Sequence, residues 1–188
     1  MHPLKKIFLF GAAAIAFSVS TAQAATSAQE KAQQQSDSAN TPGDMSVPTW
    51  LSGTWTLVRC DNVYPDGRRI ELYGPHPQGM WMIDDHSHYM MLIARAQRKP
   101  FATGEKSRGT PEEYRAASLD VNAHYGSVGI HGDRMSTHID QASFPNWVGR
   151  GGTTAYTLDG NQLTYIVAKP SSGSSEGAHG EVVWQRLD

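Results

Sequence analysis

From residue 47 onward, apolar residues recur in short runs separated by turn-forming residues, the pattern of successive strands joined by hairpins. Runs at 54–60, 69–73, 79–83, 89–96, 124–131, 135–143, 153–158, 163–168 and 181–187 predict nine strands. Tyr64-Pro65-Asp66-Gly67 closes the first run, since proline presets one turn dihedral and glycine accepts a positive one. Gly132-Asp133 and Asp159-Gly160-Asn161 are hairpin signals between neighbouring runs. Helical periodicity is confined to one place. Thr110-Pro111-Glu112-Glu113 supplies a capping hydroxyl, a first-turn proline and early carboxylates ahead of Tyr114-Arg115-Ala116-Ala117-Ser118-Leu119, predicting one short helix. Short connections pair sequence neighbours in space, so the expected fold is all-β, an up-and-down antiparallel barrel whose closure leaves no exposed edge.

The segment before this domain has a different character. Lys5 and Lys6 precede an apolar, small-residue stretch at 7–20, and Ala22-Gln23-Ala24 has the form of a cleavage site, so residues 1–24 are expected to be a signal peptide. The apolar stretch is shorter than the ~20 residues of a membrane-spanning helix. Residues 25–46 are rich in Gln, Ser, Ala and Thr and are expected to form a flexible leader, leaving 47–188 as a single domain. The expected product is exported, to the periplasm or outside the cell.

Composition narrows the chemistry. The formal net charge is -2, and about -4 once the two leading lysines are removed, with no block of Lys or Arg. A phosphate backbone has little to bind, which points away from nucleic acid. Cys60 is the only cysteine, so no intrachain disulfide can form.

A family resemblance emerges from an ordered set of motifs. Ser52-Gly53-Thr54-Trp55-Thr56-Leu57-Val58 resembles the opening Gly-x-Trp of calycin barrels. Tyr73-Gly74-Pro75, Gly79, Met90, Ile93-Ala94-Arg95, Arg98, Thr110-Pro111-Glu112-Glu113, Ala123-His124-Tyr125-Gly126, His138, Phe144-Pro145-Asn146-Trp147-Val148-Gly149 and Trp184-Gln185-Arg186 follow. Together they resemble the bacterial and fungal lipocalin-like domain family across 47–188. The resemblance implies a barrel of eight to ten strands with a central cavity, and it supplies a fold more than a reaction. It also implies that Trp55 plugs the closed end while Arg186 packs over its indole, with Trp184 as a rival partner. Where the family carries an arginine a few residues after Val148-Gly149, this chain has Gly151-Gly152-Thr153-Thr154, and Arg150 stands in a shifted position.

Several residues could carry chemistry. His138 falls mid-strand on one face with Ser136 and Asp140, either solvent-exposed or pointing a polar group into a cavity. His124 and His131 share that ambiguity. Met82, Met90 and Tyr89, on the paired third and fourth strands, either fill the core or line a cavity for an apolar ligand. Arg95, with Arg98, Lys99, Lys106 and Arg108 nearby, either receives an anionic head group or belongs to a solvated loop. His86 and His88, beside Asp84 and Asp85, are either a solvated turn or a weak zinc or copper site. No Gly-x-Ser-x-Gly, phosphate-cradling loop or paired nucleophile occurs.

The expected function is therefore binding of a small, mainly hydrophobic molecule, with room for an anionic group, by His138, Tyr125, Met82, Met90, Tyr89 and Arg95. The alternatives are an isomerase or cyclase using His138 as acid or base, oriented by Asp140 or Tyr125, and a haem-binding barrel with a histidine ligand. No cofactor is otherwise expected.

Overall fold

The computed structural model describes residues 47–170 and 177–187, so the expected signal peptide and leader lie outside the described residues. The strands are β1 (Gly53–Val63), β2 (Arg69–Glu71), β3 (Gln78–Ile83), β4 (His88–Ala94), β5 (Val121–His131), β6 (Arg134–Ala142), β7 (Gly151–Asp159), β8 (Gln162–Val167) and β9 (His179–Arg186). Helix α1 is Pro111–Leu119. No described helix is long and apolar enough to cross a membrane.

Every pairing is antiparallel, and β3 to β9 follow one another in sequence order. β9 then pairs along β1, and β1 pairs with β3, closing an eight-stranded barrel. The simple meander needs one amendment. β2 is a three-residue strand outside the closed ring, paired only with β1, because β3 takes the Gly53–Thr56 part of that edge and β2 the Asp61–Val63 part. An ion cluster fastens it there: Arg69 Nη1 lies 2.7 Å from Glu181 Oε1 and 3.2 Å from Asp61 Oδ2, and Arg59 Nη2 lies 2.8 Å from the same Glu181 oxygen. The Arg69 hydrogen bond, with help from Arg59, holds the Glu181 carboxyl below its ordinary range.

The helix forms where its capping residues stand. The Thr110 hydroxyl accepts from Glu113 N at 3.2 Å, while Glu113 Oε2 accepts from Thr110 N at 2.8 Å, a reciprocal capping box ahead of Pro111. None of its residues is buried, so α1 flanks the barrel and adds little to its core.

Two features of the Gly-x-Trp motif acquire reasons at the closed end. Gly53 has φ +129°, and a Cβ there would stand 3.1 Å from Arg186 Nη2, so a side chain would be strained and crowded. Trp55 is fully buried, its Nε1 donating to Leu51 O at 2.9 Å. The Arg186 guanidinium lies 5.6 Å from the Trp55 ring centroid and donates to Trp50 O, sealing that end with Leu51, Leu163 and Trp184.

Two register shifts decide which residues face inward. In β1 the shift between Leu57 and Arg59 changes the inner set from Trp55 and Leu57 to Cys60 and Asn62. The second lies between Tyr125 and Gly126, where a Cβ on Gly126 would sit 1.9 Å from the His138 carbonyl oxygen. Gly126→Ala must move one strand, and the expected cost is about 1–3 kcal/mol. Equilibrium urea unfolding checks it; an unchanged midpoint would show that the strands do not approach this closely.

Candidate functional site

Inside the open half of the barrel lies a pocket of ≈ 670 Å³. Strands β3 to β6 supply one side of its wall through alternate residues: Trp81, then Tyr89, Met91 and Ile93, then Asn122 and His124, then Met135, Thr137 and Ile139. Across from them stand Cys60 and Asn62 of β1, Tyr165 of β8 and Val182 of β9. The 3₁₀ turn Pro145–Trp147 brings Asn146 and Trp147 over one side, with Phe144 before it. Arg150 and Lys169 are exposed cations on the lining.

The ionisable groups of the interior are held neutral. His124 Nδ1 lies 2.8 Å from the Tyr89 hydroxyl, and burial lowers the His124 pKa to about 4. A hydroxyl that donates to Nδ1 leaves the His124 proton on Nε2. Burial raises the Tyr89 and Tyr165 hydroxyls well above their usual range. Tyr73 rises to about 12, mainly from burial with the Cys60 thiol adding, against a hydrogen bond from Asn122. Cys60 also rises to about 12 through burial and the Asp61 charge beside it, which makes it an inert thiol at neutral pH.

Two polar atoms at this pocket stand out. Trp81 Nε1 and Asn122 Oδ1 are buried without a hydrogen-bond partner among the described residues, and both residues line the pocket. A buried group left in that state costs ~1–3 kcal/mol. One is a donor and the other an acceptor, so a ligand offering the complementary atoms would remove both costs.

The residues singled out from sequence separate into distinct places. Tyr89 is 4% exposed and lines the pocket. Met82, Met90 and Tyr125 do not: they are 45%, 56% and 45% exposed on the outer face. His138 is also outward, with Nε2 3.7 Å from Asp140 Oδ1, while its strand neighbours Thr137 and Ile139 line the pocket. The acid–base arrangement of His138, Asp140 and Tyr125 is therefore corrected, since none of these three side chains reaches the interior. Arg95 makes a structural tie instead, donating to Asp120 Oδ1 at 2.7 Å and Leu72 O at 3.1 Å. It does not line the pocket.

His86 and His88 flank a turn in which Ser87 has φ +72° and Asp84 Oδ1 accepts from both histidine backbone N–H groups, at 2.9 and 2.8 Å. The ligand atoms of Asp84, Asp85 and His86 lie within 4.8 Å of one another, but all three residues are exposed. His88 bonds separately to Asp84, at 2.9 Å.

Sequence alone leaves His124 undecided between solvent and cavity, leaves Trp81 undecided between core and cavity, and gives no signal for Asn122. Register is the signal that unites them: Trp81 pairs with Met91, Met91 with His124, and Ile93 with Asn122. His124 is the one histidine on the pocket lining among the described residues; with its proton on Nε2 it has no lone pair to offer a haem iron, and ligation would need the other tautomer, with Nδ1 donating to the Tyr89 hydroxyl.

The family comparison agrees with the barrel. The sequence profile of the lipocalin-like domain family matches residues 52–187. A lipocalin-like protein from Bacteroides uniformis ATCC 8492, known from its crystal structure, is 10% identical with a TM-score of 0.39, over 73% of this chain and 99% of that one. The crystal structure of an uncharacterized protein from Bacteroides eggerthii DSM 20697 is 13% identical with a TM-score of 0.36, over 72% and 98%. No curated protein matches.

Proposed function

Since the chain belongs to the lipocalin-like domain family, and its barrel has an open half, we propose that it binds a small, mainly apolar molecule in the pocket bounded by Trp81, Tyr89, Met91 and His124. The observation that carries this is the pocket itself: ≈ 670 Å³ lies within the ~300–1,000 Å³ of ligand sites, and apolar walls surround a few polar groups. The unpartnered Trp81 Nε1 and Asn122 Oδ1 support it, because a ligand with one acceptor and one donor would satisfy them.

The neutral interior sets the ligand's character. A charge placed beside His124 and Tyr89 would lose its hydration, and the Asp140 carboxylate that acts on Tyr89 is exposed and offsets little of that loss. The inserted part is therefore uncharged. An anionic end, where the ligand has one, would stay at the rim near Arg150 and Lys169. Arg95 is committed to Asp120 and does not serve this purpose.

Native against denaturing mass spectrometry of the protein recovered after export tests the reading, together with fluorescence titration of N-phenyl-1-naphthylamine. A ligand mass lost on denaturation, or saturable probe binding, is the expected result. Thr137→Trp, which fills the pocket from β6, is expected to weaken binding at least about tenfold, equivalent to ~1.4 kcal/mol. Absence of both a ligand mass and saturable probe binding would overturn the proposal. The same preparation reads the N-terminus, and a mature chain beginning at residue 25 would support export.

The Tyr89–His124 pair favours a second reading, in which the pocket transfers protons on its ligand. Deuterium entering a copurified ligand from heavy water, and ceasing in His124→Gln, would make the protein an isomerase-type catalyst. Exchange unaffected by that substitution would exclude His124 as the acid–base group.

A further inference from the structure

We propose that the outer face of β3 and β4 carries a site for a soft monovalent metal ion, Cu(I), with Met82, Met90 and His88 as ligands. The starting point is an anomaly of burial. Methionine ordinarily lies inside a protein, and Met91 and Met135 do so, at 4% and 1% exposure. Met80, Met82 and Met90 instead stand 47%, 45% and 56% exposed on one face of two adjacent strands.

Register brings the three ligands together. Met82 pairs directly with Met90, which puts their Cβ atoms ~4.5–5.5 Å apart. His88 is two residues before Met90, so it shares the outer face and lies diagonal to Met82, at ~7–8 Å. A methionine side chain has three rotatable bonds and can bring its sulfur to a common point with an imidazole over such spacings. Met82, Met90 and His88 also line the same surface depression, with Asp84 and Tyr125 beside them.

The histidine is prepared for coordination. Its Nδ1 lies 2.9 Å from Asp84 Oδ2, while Asp84 Oδ1 accepts from the His86 and His88 backbone N–H groups. A carboxylate on Nδ1 fixes the tautomer that leaves the Nε2 lone pair for a metal. Two thioethers and an imidazole form a soft donor set, which favours Cu(I) over Mg(II) or Ca(II) and gives Zn(II) little. Met80 pairs with Leu92, four residues along the ladder from His88, and stays outside this ligand set. The exposed oxygen-rich group of Asp84, Asp85 and His86 is a different donor set and has no thioether.

Anaerobic titration of the purified protein with Cu(I), in competition with bicinchoninate, tests the site; Ag(I) in native mass spectrometry serves as a redox-inert check on stoichiometry. One ion per chain is expected. The Met82→Leu/Met90→Leu double variant keeps an apolar surface of similar size while removing both sulfurs, so it is expected to retain the fold and bind at least tenfold more weakly. His88→Gln should also weaken binding, and Cys60→Ser should leave it unchanged. Failure to hold Cu(I) against the chelator, undiminished binding in the double leucine variant, or loss of binding in Cys60→Ser would each overturn the proposal. None of these outcomes depends on whether the interior pocket takes a ligand.

Discussion

Replacing Trp55 with alanine is expected to lower the free energy of unfolding by about 3–5 kcal/mol, the range for deleting a fully buried indole. Trp55 has no exposed surface and sits among Leu51, Leu163 and Trp184, which leaves few mobile neighbours to collapse into the void. The substitution also strands the Leu51 carbonyl that accepts from Trp55 Nε1 and uncovers the Arg186 guanidinium from its aromatic partner. Arg186→Ala should cost less, because the cation–π contribution is ~0.5–2 kcal/mol, with a further penalty from the lost bond to Trp50 O. Urea unfolding of both variants decides the matter. A loss below about 1 kcal/mol in Trp55→Ala would mean that the closed end is not the packed seal it forms here.

The second large effect is on acid stability. His124 has a pKa of about 4 in the folded barrel, against 6.5 for the free side chain, because burial penalises its charged form. Above pH 6.5 both states are neutral and the histidine exerts no pull. As the pH falls from 6.5 towards 4, the unfolded chain takes up a proton that the barrel refuses, so stability falls, by about 3 kcal/mol in all. Below that window both states are protonated and the contribution levels off. Glu181 behaves differently: its folded pKa is lowered by Arg69, so its contribution is present above the unfolded carboxylate range and disappears only at more acidic pH. Urea midpoints between pH 7.5 and 4 are expected to drop for the wild type and to flatten across the His124 window in His124→Gln. Equal slopes in the two proteins would show that His124 does not resist protonation.

Much of the architecture could be read along the chain because its causes are local. The turn at Tyr64–Gly67 forms with Gly67 N donating to Tyr64 O at 2.9 Å, and the Thr110/Glu113 capping box starts α1 where its residues announce it. The candidate site was much less legible. In β3 and β4 one alternating set is Trp81, Ile83, Tyr89, Met91 and Ile93, and the other is Met80, Met82, Met90 and Leu92. Both sets are mainly apolar, with Gln78 and His88 the polar members of the second, so a period of two identifies the strands without identifying the inner face. In β6, where Met135, Thr137 and Ile139 alternate with Ser136, His138 and Asp140, polarity does separate the faces, and the polar set lies outside the pocket.

Sequence by itself determined the nine short strands, the helix start, the motif glycine beside Trp55 and the barrel class, since each rests on dihedral preference, hairpin chemistry or alternation within a few residues. Tertiary structure alone decided that β2 stays outside the ring, that Cys60 and Asn62 replace the Trp55 parity after the shift in β1, and that Tyr89 meets His124 across two strands. The physical reason is that closing β9 onto β1 and absorbing a bulge are long-range events, and a one-residue change of register exchanges the faces of everything beyond it.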